Sequence, residues 1–285
     1  MANLKDIRDR IKSIKSIQQV TKAMKLVAAA KMRKAQERME EARPYSDRLS
    51  NVIISLLPDV DRTLIPLLDK REIKREALVI VTGDRGMAGA FNGNIIKKAE
   101  EEISEIGKEN IDLICIGRKG RDHFKSRGYE ILADYTDFWN DLRFNHAMSF
   151  GEEIISHFIN KSVDRVRVIY NWFKNIAVQE IHTEDLLPLT YSDEKIRSVD
   201  RLYEPSKSDI VCSLIPRHLN VQVWKYLLES YASEQSARMV AMDNATENAQ
   251  ELIKDLTLDF NKARQAAITK EMLEIVGGAE ALSDN

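Results

Sequence analysis

The chain has 285 residues, 44% hydrophobic and 31% charged, with a formal net charge of −2. That supports a real buried core and excludes a generally basic nucleic-acid binder. No apolar run approaches the roughly 20 residues of a bilayer span, and there is no secretory signal. Cys115 and Cys212 are far apart in apolar stretches, which predicts reduced, buried thiols in a cytosolic setting.

The first 43 residues hold neither glycine nor proline, and neither do the 60 residues from Arg217 to Val276. All six prolines, from Pro44 to Pro216, lie between these stretches. Glycine and proline disfavour helix interiors most, so both ends read as long helices, reaching about 60 Å and about 90 Å at 1.5 Å per residue. Such ends are expected to project from a globular middle. Seam positions run Leu4, Ile7, Ile11, Ile14, Ile17, Thr21, Met24 and on to Ala42; on the other helix they run from Val221 and Trp224 through Gln235 and Arg238, where an apolar residue is expected, and Met242 to Leu252 and Leu256. Steps near 3.5 are the coiled-coil period, so the helices are expected to pair with each other, antiparallel.

The longer helix must overhang. Past Leu256 the single seam dissolves, and Ile268, Met272, Leu273, Ile275 and Val276 take up several faces. A segment apolar all round is expected to be surrounded, either by a socket on another protein or by this chain's own middle. Gly277–Gly278 is expected to end the helix.

From Arg10 to Gln36 there are eight Lys or Arg and no acid. Such a helix could bind nucleic acid, lie on an anionic membrane, act as a targeting peptide, meet an acidic partner, or form a solvated flank. Zinc-ligand spacing and aromatic RNA motifs are missing, and the seam runs through the basic region without a break.

The middle reads as α/β, with a mostly parallel sheet. Strands are expected at Glu76–Thr82, Ile111–Gly117, Val163–Phe173 and Ile176–Ile181, the last two forming a hairpin across Lys174–Asn175. Helices are expected at about 94–106, 121–127 and 149–160, and a polar connection at 190–209. The turn Gly83-Asp-Arg-Gly-Met-Ala-Gly89 stands where a phosphate could bind. Its spacing is G-x-x-G-x-x-G, not G-x-G-x-x-G, and Gly117-Arg118-Lys119 offers no acid for a ribose. A structural turn is the favoured reading. The five histidines show no metal-ligand spacing, and no cofactor is expected.

Three separated motifs carry a resemblance. Ile14-Lys-Ser-Ile-Gln-Gln-Val-Thr-Lys-Ala-Met-Lys-Leu-Val-Ala-Ala-Ala-Lys-Met32 resembles the N-terminal motif of gamma subunits of bacterial F-type ATP synthase. Ser233–Thr246 and Asn261–Glu271, with Ile275-Val-Gly-Gly, resemble the C-terminal motif. Gly83-Asp-Arg-Gly with Phe91-Asn92 resembles the mid-chain motif, and Tyr203-Glu-Pro205 the foot. The likeness covers essentially the whole chain. Ala88 stands where many relatives carry cysteine, and the cysteine-bearing insertion of chloroplast relatives near 190–210 is missing, so thiol regulation of that kind is not expected.

The resemblance implies a long antiparallel coiled coil of the terminal helices plus a central Rossmann-like α/β domain. The expected divisions are 1–58 for the N-terminal shaft helix, 74–190 for the α/β domain, 191–216 for a connecting foot and 217–285 for the C-terminal shaft helix. It implies a non-catalytic rotor on the cytoplasmic face of the bacterial plasma membrane. Its implied partners are the alpha and beta subunits, epsilon and the c-ring, with no nucleic acid and no direct membrane insertion. Matched residue by residue, Met24, Lys22, Lys25 and Arg238 are expected at a beta subunit, with Met24 near Arg238. Arg264, Gln265, Thr269 and Glu271 match the catch region against a beta-subunit loop, and Tyr203 and Glu204 fall where epsilon or the c-ring is met.

Overall fold

The computed structural model describes residues 4–61, 63, 65–176, 178–191, 204 and 206–283. The chain divides into two compact units, Met1–Val27 with Met239–Asn285, and Ala28–Arg238. Helix α1 covers Leu4–Leu56 and helix α5 covers Lys207–Ser283, so each contributes to both units.

The larger unit is built on a five-stranded sheet of order β3-β2-β1-β4-β5. Strand β1 is Glu76–Val81, β2 Ile111–Ile116, β3 Ile131–Tyr135, β4 Arg165–Phe173 and β5 Gln179–Leu187. The first four are parallel, and β5 returns antiparallel along β4. Helices α2 (Phe91–Ile106), α3 (Arg118–Ser126) and α4 (Phe144–Ile159) make the crossovers. Side chains of β1 alternate between two cores, as the two-residue strand period requires. Leu78 and Ile80 join Ile95 and Ile103 of α2 and Phe124 of α3. Ala77, Val79 and Val81 face Phe150 and Ile154 of α4, Ile53 of α1 and Leu219 and Leu227 of α5. Three layers result, with the sheet in the middle.

In the smaller unit the helix pair is antiparallel. Arg8 lies over the Phe260 ring at 5.4 Å, Thr21 Oγ1 meets Thr246 Oγ1 at 2.8 Å, and Lys25 Nζ meets Asp243 at 2.6 Å. Each step up α1 is thus a matching step down α5.

Several expectations need correction. β3, an edge strand of alternating half-buried residues, was not foreseen, because Ile-Leu-Ala-Asp-Tyr lacks the continuous apolar run of β1 and β2. The hairpin's second strand is longer and later than expected, at Gln179–Leu187. α5 begins at Lys207 and passes through Pro216, so the connecting segment does not reach 216. Ser206 supplies the start signal, its Oγ accepting from the Asp209 backbone N–H at 3.1 Å. Residues 192–203 of that connection lie outside those described. α5 also continues through Gly277–Gly278 to Ser283; a mid-helix glycine costs only about 1 kcal/mol. Cys115 is buried as expected, but Cys212 is exposed on α5. Ile17 and Leu252, both assigned to the seam, are 55% and 49% exposed. Gln18 and Ile253 take the inward positions, since on each helix the four-residue step comes before the three-residue step and not after it.

Candidate functional site

The pair's seam continues past Leu256 to Phe260 and Ala263, which are both part-covered. Every residue from Arg264 to Gly277 is then exposed. This stretch holds four of the expected contact residues, Arg264, Gln265, Thr269 and Glu271. Among them stand Ile268, Met272, Leu273, Ile275 and Val276, each at least half exposed. Fully burying one such side chain stabilises by about 1.5–3 kcal/mol, so this helix end carries a strong drive toward a partner.

A second exposed apolar group lies on α1 of the same unit, where Ile17, Val20, Leu26 and Val27 are all more than half exposed. Lys22 is exposed among them, and Met24 is half-buried. Lys25 is already paired with Asp243. The basic run is therefore partly answered within the chain, and exposed Arg33 adds a pair to Glu37 at 3.3 Å. Among the described residues no helix is long and apolar enough to cross a membrane.

In the larger unit, polar residues at the expected seam are buried against the sheet domain. Gln235 is 5% and Arg238 9% exposed. Along α5, Glu229 accepts from the Phe173 backbone N–H at 3.0 Å, Ser233 Oγ donates to the Asn171 carbonyl, and Ser236 Oγ donates to the Ile176 carbonyl at 2.7 Å. This stripe, one turn apart each time, fastens the helix to the end of β4 and the turn that follows. Arg238 donates to Glu234 Oε1 at 2.6 Å and to the Gly86 carbonyl at 3.2 Å. Met24 and Arg238 fall in different units.

Several polar groups of the glycine-rich turn bond to protein. Gly83 N–H donates to Asn92 Oδ1 at 2.9 Å, and the Gly83 carbonyl accepts from Lys119 N–H at 3.1 Å. Asp84 accepts from the backbone N–H groups of Arg118 and Asp137, each at 2.8 Å. Gly117 has φ +100°, and a Cβ there would lie 2.0 Å from the Thr82 carbonyl oxygen, so glycine lets β1 and β2 end in close contact. Among the described residues no cluster of three or more His, Cys, Asp or Glu could hold a metal. Of the foot residues, Glu204 is exposed, and Tyr203 lies outside those described.

A sheet domain whose terminal helices also form an antiparallel pair with a bare apolar end defines a class of protein that works by engaging others along its helices. A family model described as ATP synthase matches residues 3–282. The ATP synthase gamma chain of Chloroherpeton thalassium is 46% identical over the full length of both chains. That of Chlorobaculum tepidum is 49% identical over 99% of each. The chain belongs to the ATP synthase gamma chain family. Among solved structures, a chain of the Euglena gracilis mitochondrial ATP synthase OSCP/F1/c-ring assembly superposes with a TM-score of 0.70 at 22% identity, covering 98% of this chain and 94% of its own. A chain of the Tetrahymena thermophila mitochondrial ATP synthase central stalk/c-ring structure gives 0.62 at 23% identity, covering 79% and 99%. At such identities these likenesses concern the fold.

Proposed function

We propose that this chain is the central rotor shaft of an F-type ATP synthase, coupling proton-driven rotation of the c-ring to the conformational cycle of the catalytic beta subunits. The observation that carries this reading is the end of α5, where apolar side chains from Ile268 to Val276 stand bare in a helix whose own partner stops near Ala263. A ring of alpha and beta subunits around that end would cover them. A helix pair has no threefold symmetry, so it presents a different surface to each of three beta subunits. Each subunit is biased toward the nucleotide state that fits the surface it meets, and rotation moves that bias around the ring. No side chain of this chain makes or breaks a phosphate bond; its contribution is differential contact.

In this reading Arg264, Gln265, Thr269 and Glu271 meet a beta-subunit loop. Met24, Lys22 and Lys25 of the smaller unit face a beta subunit, and in the larger unit Arg238, 9% exposed, is assigned the same kind of contact. The larger unit meets epsilon and the c-ring near Tyr203 and Glu204, which holds the chain at the cytoplasmic face of the bacterial plasma membrane as a peripheral subunit.

The test is reconstitution with alpha, beta, epsilon and the c-ring in proteoliposomes, using the full chain and a chain truncated after Ala263. The full chain is expected to support ATP synthesis under an imposed proton gradient. The truncated chain is expected to assemble but to lose most of that synthesis. Equal synthesis by both would overturn the role given to the helix end.

A further inference from the structure

Nothing in a rotor calls for a glycine-rich turn after β1, and several of the turn's groups bond to protein. One of its neighbours is unusual. Glu234 of α5 is 4% exposed, and a Cβ built on Gly83 would lie 2.7 Å from its Oε1 and 2.8 Å from its Cδ. Arg238, one turn further on, donates from Nη2 to that same Oε1 and to the Gly86 carbonyl. On the other side Asn92 of α2 accepts from Gly83 N–H and donates to the Arg85 carbonyl at 3.2 Å. The turn thus holds two helices at once, and all these groups belong to the larger unit.

We propose that the Gly83–Gly86 turn is a socket for α5, in which the missing side chain of Gly83 and the carbonyl of Gly86 receive the Glu234–Arg238 pair, with Glu234 as the positioning residue for the guanidinium. A buried carboxylate is tolerated only with a partner. Gly83 leaves it room, and Gly86 accepts a second hydrogen bond from that partner. Burial also pushes the Glu234 carboxyl up, with Arg238 opposing. A methyl at position 83 would force the carboxylate away from Arg238 inside a closed space, which is why the turn carries glycine although its φ there is ordinary. This assignment is independent of the rotor reading, since it concerns the joint between α5 and the sheet domain.

The test uses the full-length chain and a double-mutant cycle of Gly83→Ala and Glu234→Ala, read by thermal unfolding. Gly83→Ala alone is expected to lower Tm by about 4 °C or more. In the Glu234→Ala background the same methyl should cost less than half of that shift, because the atoms it strikes are gone. Additive shifts, or a Gly83→Ala chain as stable as the parent, would overturn the proposal. If Gly83→Ala yields no folded protein, hydrogen exchange of residues 84–90 decides. Glu234→Ala and Arg238→Ala should each speed it about tenfold or more, Glu234→Gln, which keeps an acceptor for the guanidinium, should restore most of the protection, and exchange unchanged in all three would refute the socket.

Discussion

Residues in this chain divide by what their polar groups already touch. Lys25 and Asp243 are more than a third exposed, at 37% and 42%, so their pair contributes little despite its short distance. A double-mutant cycle of Lys25→Ala and Asp243→Ala should give a coupling of about 1 kcal/mol or less; a much larger value would mean the pair is shielded. Glu229 behaves differently. Burial raises its carboxyl above the ordinary 4.5, and the hydrogen bond from Phe173 only partly offsets this. The folded state therefore binds the proton more tightly than the unfolded one. The group's contribution to stability is complete below about pH 4.5 and is lost as pH rises through the raised folded value. Glu229→Gln keeps an acceptor for Phe173 N–H and should flatten that decline, measured as Tm against pH from about 4 to 8. A parent and variant with parallel profiles would contradict it. From sequence, Gln235 and Arg238 were visible as misfits on an apolar seam, but their partners were not. Gly86 lies far from Arg238 in the chain, and only the fold joins them.

At the scale of elements, packing rather than local propensity decided where the helices end. α1 continues through Pro44 to Leu56 because Leu49, Ile53 and Leu56 are buried in the sheet domain's core, offsetting the lost hydrogen bond of an interior proline. Ile53 is fully buried, so Ile53→Ala should destabilise by about 2–5 kcal/mol in denaturant unfolding; a loss under 1 kcal/mol would show that the second half of α1 is not anchored there. The helix pair was legible from the near-3.5 spacing, and so were β1 and β2 from their continuous apolar runs. The seam's register was legible only in part, since Ile17 and Leu252 are apolar and satisfy the pattern as well as the inward Gln18 and Ile253. Exposed apolar side chains intended for a partner look the same in sequence as core ones. The register is checked by Thr21→Cys with Thr246→Cys, whose parent hydroxyls are 2.8 Å apart. That pair should oxidise to a disulfide, and Ile17→Cys with Thr246→Cys should not. The reverse pattern would move the register by a turn.

For the whole molecule, the larger unit buries its apolar surface in two cores on either side of one sheet, while the smaller unit leaves much of its own bare. That contrast was foreshadowed by the multi-faced apolar segment after Leu256, and the resemblance of three motifs supplied the family. What the bare surfaces meet is the central claim, and the chain offers its own reporter site. Cys212 is exposed, whereas Cys115 is buried with its thiol pushed up to about 12, so a maleimide-linked bead or rod should attach at Cys212 alone. With the assembled complex fixed to a surface through its beta subunits, addition of ATP should drive continuous rotation of that reporter in one direction. A reporter that stays fixed while the same complexes hydrolyse ATP would contradict the rotor account.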